Sequence, residues 1–225
     1  MTKADLRILI PAFNEEKGIG PLLEKLKTSG FQCVVLDDGS SDQTPERARA
    51  QGALVLPAFG NQGKGAAIRR GFEWFLSTDA KAAVLMDADG QHDPRDLDKF
   101  LEALNQADAG LVLGNRMDAP QDMPWLRRAT NKSLSWIISR ISGQKIPDSQ
   151  CGYRAIRREA LSKIKLRTDR FEIESEMLLE ISRCGFRIVS VPVRCVYAGE
   201  GSHIQPLRDT VRFFSFLFRY LSKKN

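Results

Sequence analysis

The segment Asp87-Ala88-Asp89-Gly90-Gln91 carries the sharpest chemical signal in this 225-residue chain. Two carboxylates one residue apart project to the same side of an extended segment and can flank a hard divalent cation, with Gln91 offering a further oxygen. Mg²⁺ takes one or two carboxylates completed by substrate phosphate and water, which suits a pair that cannot close a cage alone. The competing reading is an aspartate-rich turn that caps the helix beginning near Asp93 and Pro94. A second acidic run, Asp37-Asp38-Gly39-Ser40-Ser41-Asp42, is equally a turn or a site whose carboxylates accept from a base imide or a ribose hydroxyl. Gly63-Lys64-Gly65 opens a helix whose first amides and lysine could meet phosphate; a simple helix start explains it as well.

Other chemistries find little support. The cysteines, Cys33, Cys151, Cys184 and Cys195, lie far apart with no Cys-x-x-Cys pair, so they read as buried free thiols. Two histidines, His92 and His203, leave little room for a histidine-rich metal site or a Ser-His-Asp triad. The net charge of +6 is uneven: residues 116–170 hold 13 basic and 5 acidic groups, more than the whole excess. That segment reads either as a solvated face or as a surface that meets an anion, such as a nucleotide or lipid phosphate. Nucleic acid is disfavoured because no recognised nucleic-acid motif accompanies the charge.

These residues need a frame, and the hydrophobic pattern provides one. With 42% hydrophobic and 28% charged residues, the chain can bury a sizeable core. Strands are expected at Arg7–Pro11, Cys33–Leu36, Ala53–Leu56, Ala82–Met86, Leu111–Gly114 and Arg187–Tyr197. They alternate with helices at Glu15–Ser29, from Ser41 or Asp42 to about Gln51, at Gly63–Leu76 and from Asp93 to Leu104. Further helices are expected near 124–142, 158–165 and 173–184, with a last one over Pro206–Ser222. Strand–helix alternation at this spacing predicts an α/β fold on a parallel sheet, with ligands beyond the carboxyl ends of its strands. Glu15, Asp37, Asp38, Asp87 and Asp89 all fall at those ends. Acidic clusters on one edge repel one another unless something cationic or donor-rich joins them.

Read in order, Pro11-Ala12-Phe13-Asn14-Glu15, Asp37 to Thr44, Asn61-Gln62-Gly63-Lys64-Gly65-Ala66 and Asp87 to Pro94 resemble family 2 glycosyltransferases. Gly114-Asn115-Arg116 and Asp148-Ser149-Gln150-Cys151-Gly152-Tyr153-Arg154 point to the branch of dolichyl- and polyprenyl-phosphate mannose or glucose synthases. The resemblance, which covers roughly residues 7–200, implies a GT-A, Rossmann-like fold, a mixed, mostly parallel sheet flanked by helices, assigned to a domain over 1–205; the apolar periodicity of 206–225 adds a C-terminal amphipathic helix. It implies that Pro11, Phe13 and Glu15 line a nucleoside pocket, with Leu36 and Asp38 as its second wall and Asp87, Ala88 and Asp89 beside the diphosphate. Asp87, Asp89 and Gln91 would hold Mg²⁺ or Mn²⁺; Asp89 and Arg116 would be catalytic. Arg116, Arg127, Arg128 and Arg154 would meet the acceptor phosphate. In that branch an arginine and a lysine follow the last strand; Arg194 and His203 stand nearest to them here, at a different spacing. The Gln-x-x-Arg-Trp signature of processive polysaccharide synthases is absent.

The implied reaction is inverting transfer of a hexose from a nucleotide-diphosphate sugar to polyprenyl phosphate. A phosphomonoester, with its second pKa at about 6, attacks without a base, whereas an alcohol acceptor needs a poised carboxylate such as Asp148, Glu172 or Glu174. The alternatives are a same-fold transferase acting on a soluble hydroxyl and a non-catalytic nucleotide-sugar-binding subunit. In the last helix Leu207, Val211, Phe214, Phe218 and Leu221 recur at steps of four and three, widened by Phe213, Phe216, Leu217 and Tyr220. With Arg208, Arg212, Arg219, Lys223 and Lys224 beside it, this stripe could lie on an anionic bilayer, or instead dock on the core or on a second copy in a homodimer. No span is apolar enough to cross a membrane and the charged start does not read as a secretory signal, so the chain is expected in the cytoplasm, at most peripheral to its membrane.

Overall fold

The computed structural model describes residues 1–118, 123–194 and 206–222, with the side chains of the last helix described from Val211 onward. Seven strands form one sheet: β1 (Leu6–Ala12), β2 (Cys33–Asp37), β3 (Leu54–Leu56), β4 (Ala82–Leu85), β5 (Leu111–Asn115), β6 (Arg154–Arg157) and β7 (Ile188–Pro192). Their spatial order is β3-β2-β1-β4-β6-β5-β7. Every neighbouring pair is parallel except the two that β6 makes, with β4 and with β5. Strands buried on both faces read as unbroken apolar runs, and Ala82–Leu85 and Leu111–Asn115 are buried at every position.

The helices are α1 (Glu16–Thr28), α2 (Thr44–Ala50), α3 (Lys64–Leu76), α4 (Leu97–Gln106), α5 (Trp125–Ser142), α6 (Arg158–Lys163), α7 (Ile173–Arg183) and α8 (Pro206–Ser222). α1 buries Ile19, Leu22, Leu23 and Leu26, the apolar stripe its sequence displays. A 3-10 turn over Pro94–Asp96 precedes α4, and Asp93 caps it by accepting from the Arg95 N–H, as the capping reading expected. The last strand stops at Pro192; the rest of the expected strand, 195–197, lies outside the described residues, as does His203.

Two departures from the sequence reading shape the site. The first is β6, which no strand signal announced: four residues with arginine at each end lack the apolar signature of a central strand. It nevertheless lies between β4 and β5 and supplies the antiparallel pairing that makes the sheet mixed. The second is α8, whose apolar residues divide between two faces. Phe213, Phe216 and Leu217 join the common core, and the Tyr220 hydroxyl donates to Glu180 Oε1 at 2.9 Å. Val211, Phe214, Phe218 and Leu221 point outward and stay 42–75% exposed. Among the described residues no helix is long and apolar enough to cross a membrane.

Strand order reverses direction at β1: the chain runs outward through β2 and β3, then returns to place β4 on the other flank. Such a switch point opens a crevice beyond the carboxyl ends of the strands. The β1–β4 ladder ends at Leu9 and Leu85, so Pro11, which lacks an N–H, sits beyond the last β4 partner.

Candidate active site

At the tips of β1 and β2 two loops are stitched to each other. Asn14 adopts φ +57°, a left-handed conformation that asparagine tolerates better than most residues. Its side-chain oxygen accepts from the Ser41 N–H at 2.9 Å, and its own N–H donates to Ser40 Oγ at 3.0 Å. The N–H groups of Glu15 and Glu16 donate to Thr44 Oγ1 and Asp42 Oδ2 at 2.8 and 3.1 Å. The serines, threonine and aspartate of the second run therefore order the first loop. A Cβ on Gly18 would lie 2.9 Å from the Ala88 carbonyl oxygen and 3.9 Å from Glu15 Oε2. Glu15 and the Asp87–Asp89 turn thus share one edge.

The centre of that edge is a half-buried ion cluster. Lys64, the first residue of α3, places Nζ 2.7 Å from Asp87 Oδ1 and 2.7 Å from Glu174 Oε1. Glu174 in turn lies 3.6 Å from Arg154. Burial opposes ionisation of Asp87, but the charge of Lys64, that of His92 and the Lys64 hydrogen bond outweigh it and hold the carboxyl at about 2. Burial pushes the His92 imidazole below its ordinary value, against the pull of Asp87 and Asp89. His92 Nδ1 accepts from the Asp87 N–H at 3.2 Å, and the ring stacks on Tyr153 with centroids 4.8 Å apart. Gly152 closes the other side: a Cβ there would lie 2.4 Å from Asp87 Oδ2.

Asp89 is exposed and accepts from the Gln91 N–H at 3.0 Å. Arg116, at the end of β5, contributes to the electrostatics of both Asp87 and His92. Its guanidinium makes a bidentate pair with Asp148, at 2.7 and 2.9 Å. Among the described residues no group of three or more His, Cys, Asp or Glu gathers as a metal cage. Two carboxylates and one amide oxygen at a strand tip are the donor set of a Mg²⁺ or Mn²⁺ site that substrate phosphate completes, so the residues present fit such an ion.

Glycosyl transferase family 2 matches residues 7–165, most of the chain. The chain belongs to this family. The glycosyltransferase is 34% identical to the dolichyl-phosphate hexose transferase of Haloferax volcanii, over 84% of this chain and 82% of the relative. It is 30% identical to the UDP-N-acetylglucosamine–dolichyl-phosphate N-acetylglucosaminyltransferase of Methanococcus voltae, over 84% and 85%. In fold it resembles glucosyl-3-phosphoglycerate synthase from Mycobacterium tuberculosis crystallised with Mn²⁺, UDP and phosphoglyceric acid. That match has a TM-score of 0.69 and 21% identity, over 92% of this chain and 74% of the other. The expected GT-A architecture is thereby shown.

Several residues assigned from resemblance lie partly or wholly beneath the surface of this glycosyltransferase. Leu36, expected as a pocket wall, is buried beneath α3, where a Cβ on Gly71 would fall 2.5 Å from its Cδ1. Asp38 is also buried; its carboxylate accepts from the Gln62 and Gly63 N–H groups at 3.1 and 2.7 Å, and so sets the glycine turn that presents Lys64. Ala88 is buried, while Pro11 and Phe13 are half-buried at the β1 tip. Arg154 is wholly buried and donates to the carbonyls of Cys151, Ser149 and Glu174. Its place is inside the protein, where no acceptor phosphate reaches.

The basic excess of 116–170 is likewise not one surface. Arg157 donates to the carbonyls of Leu104, Ala107 and Ala109, and Arg158 to those of Phe75, Leu76, Thr78 and Ala80. These arginines satisfy carbonyls in and just after the last turns of α4 and α3. They line an open cleft of about 700 Å³ with Met1, Leu76 and Lys81, yet their donors are already committed. The basic residues that face outward include Arg128, Lys132 and Arg140 on α5, where Arg127 is half-buried and Trp125, Leu126 and Trp136 are exposed. Arg194 is exposed after β7, its N–H donating to Asp96 Oδ2 at 2.8 Å.

Sequence reasoning gave no role to Gly152 or to the Asp87–His92–Tyr153 arrangement. The Cys-Gly-Tyr core of the quoted motif was the available signal, but a contact across 65 residues is invisible until β6 pairs with β4.

Proposed function

We propose that this chain transfers a hexose, with inversion, from a nucleotide-diphosphate sugar to a polyprenyl phosphate at a membrane surface. The observation that carries the reading is the convergence at one sheet edge of Asp87 and Asp89 with the cations Lys64 and Arg116. A leaving diphosphate needs such an electrostatic setting. Asp87, Asp89 and Gln91 would hold Mg²⁺ or Mn²⁺, which when bound neutralises charge on the diphosphate. Pro11, Phe13 and Glu15 would border the nucleoside, and the stitched β1 and β2 loops keep that border rigid. Asp148 orients the Arg116 guanidinium toward the same edge and would keep it ready for the phosphates.

The lipid acceptor is supported by the names of the relatives and by the outward side chains of α5 and α8. Arg127 and Arg128 would meet the acceptor phosphate, which attacks as an oxyanion without a base. Trp125, Leu126 and Trp136 on α5 and Phe214 and Phe218 on α8 are of the kind that settle into a bilayer interface. Of the carboxylates an alcohol acceptor would draw on, Glu174 is already committed to Lys64 and Arg154 and Asp148 to Arg116, which favours the phosphate acceptor. The test is to incubate the protein with Mn²⁺, a panel of sugar nucleotides and polyprenyl phosphate in liposomes. The expected result is one sugar becoming lipid-linked; transfer only to a soluble alcohol would refute the acceptor assignment.

A further inference from the structure

Lys64 is placed where a metal-binding carboxylate would otherwise stand uncompensated. Its Nζ divides its hydrogen bonds between Asp87 and Glu174 at equal lengths of 2.7 Å. The lysine has little freedom to be elsewhere. Asp38 anchors the Gly63 N–H before it, and the Ala66 N–H after it donates to the Asp169 carbonyl at 3.1 Å. On either side, a Cβ on Gly63 or Gly65 would fall within 2.6 Å of Asp169 or Thr168 backbone atoms. Within the cluster Asp87 and Glu174 are paired with Lys64 and Arg154, and Asp148 with Arg116. A divalent ion entering this cluster meets a cation already holding one of its ligands.

We infer that Lys64 is a resident stand-in for the divalent cation, holding Asp87 in position and keeping metal affinity low until a diphosphate arrives. The inference rests on the metal-dependent reading above and adds a coupling to it. With Asp87 holding an ion, the Lys64 ammonium would stand beside the anionic donor and pair with its phosphate oxygens. Metal and donor therefore bind cooperatively, each raising the affinity of the other by the same factor. Lys64 acts first through Asp87, as a positioning residue, and then on the donor phosphate itself. Glu174 modulates it: its carboxylate shares Lys64 with Asp87, and an amide in its place would leave Lys64 to Asp87 alone.

Two variants of the full chain make opposite predictions, read by titrating Mn²⁺ alone and following the free-ion signal by electron paramagnetic resonance. Lys64→Met removes the competing charge and leaves Asp87 and Glu174 facing one pocket. It should bind Mn²⁺ at least about tenfold more tightly than wild type, from the repulsion expected between an ammonium and a divalent ion at contact distance. Glu174→Gln should bind Mn²⁺ several-fold more weakly. Adding UDP or GDP should tighten Mn²⁺ binding in wild type by about tenfold or more and in Lys64→Met by much less. A merely structural role for Lys64 would weaken metal binding in both variants. Folded Lys64→Met with unchanged or weaker Mn²⁺ affinity overturns the inference. So does Glu174→Gln with unchanged or tighter affinity, which keeps the inference refutable where Lys64→Met does not fold. Failure of every form, wild type included, to bind Mn²⁺ with either diphosphate overturns this inference and the metal-dependent reading together.

Discussion

Gly152→Ala is the most incisive perturbation of the site, because it inserts one methyl group against one functional atom. The added Cβ would lie 2.4 Å from Asp87 Oδ2 and 3.0 Å from both Cγ and Oδ1. Reaching ordinary van der Waals contact requires the carboxylate to retreat by about 1 Å. That movement breaks the register of the 2.7 Å Lys64 pair and misplaces the donor end of the site. A displacement of this size costs about 100-fold in turnover, or about 2.7 kcal/mol of transition-state stabilisation. Gly152 is not among the positive-φ glycines, so alanine meets no backbone penalty and the effect is steric. Overpacking lowers stability by roughly 1–3 kcal/mol, with a melting shift of roughly 2–4 °C per kcal/mol for a chain of this size. The assay pairs initial rates of lipid-linked sugar formation with thermal melts of the same preparation. Gly20→Ala is the control, since a Cβ there meets nothing within 4 Å; it should leave turnover unchanged and slightly stabilise α1. A Gly152→Ala protein with wild-type turnover would refute the placement of Asp87 at the reacting centre.

Asp89→Asn should abolish sugar transfer while shifting the melting temperature little, because Asp89 is exposed; undiminished turnover refutes the metal assignment. Arg154→Met should unfold the protein more readily, by roughly 3–5 kcal/mol in a denaturant titration, since it takes one of two cations from buried Glu174 and strands several carbonyls. Any fall in its activity should follow the folded fraction, with no separate rise in the KM for acceptor. The Phe214→Ser/Phe218→Ser double variant should lose sedimentation with anionic liposomes at an unchanged melting temperature. Both rings are more than half exposed, and unchanged sedimentation would reject the interfacial face of α8. Arg127→Ala/Arg128→Ala should raise the KM for polyprenyl phosphate several-fold and leave Mn²⁺ binding as it was; an unchanged KM would remove those residues from the acceptor site.

Much was legible in the linear order of residues. The parallel strands announced themselves as short apolar runs, since a strand covered on both faces has no polar side to show. The carboxylates fell at strand ends, which placed them on a single edge before any contact was known. Motif spacing then pointed to the family, and α4 and α5 began within a few residues of their expected positions.

What pairing across the chain decided lay beyond that reach. β6 entered between β4 and β5 because its backbone completes their ladders, a fact its arginine-flanked sequence does not display. That insertion brought Gly152 against Asp87 and sealed Arg154 inside, so a residue that looked like a phosphate ligand became a strut for carbonyls. α8 showed the same limit: periodicity revealed apolar residues all along it, but only packing separated Phe213, Phe216 and Leu217, which are buried, from Phe214 and Phe218, which are not. Local sequence encodes which side chains can bury or ionise. Which charges finally neutralise one another depends on distances between segments far apart in the chain, and those exist only once the sheet has closed.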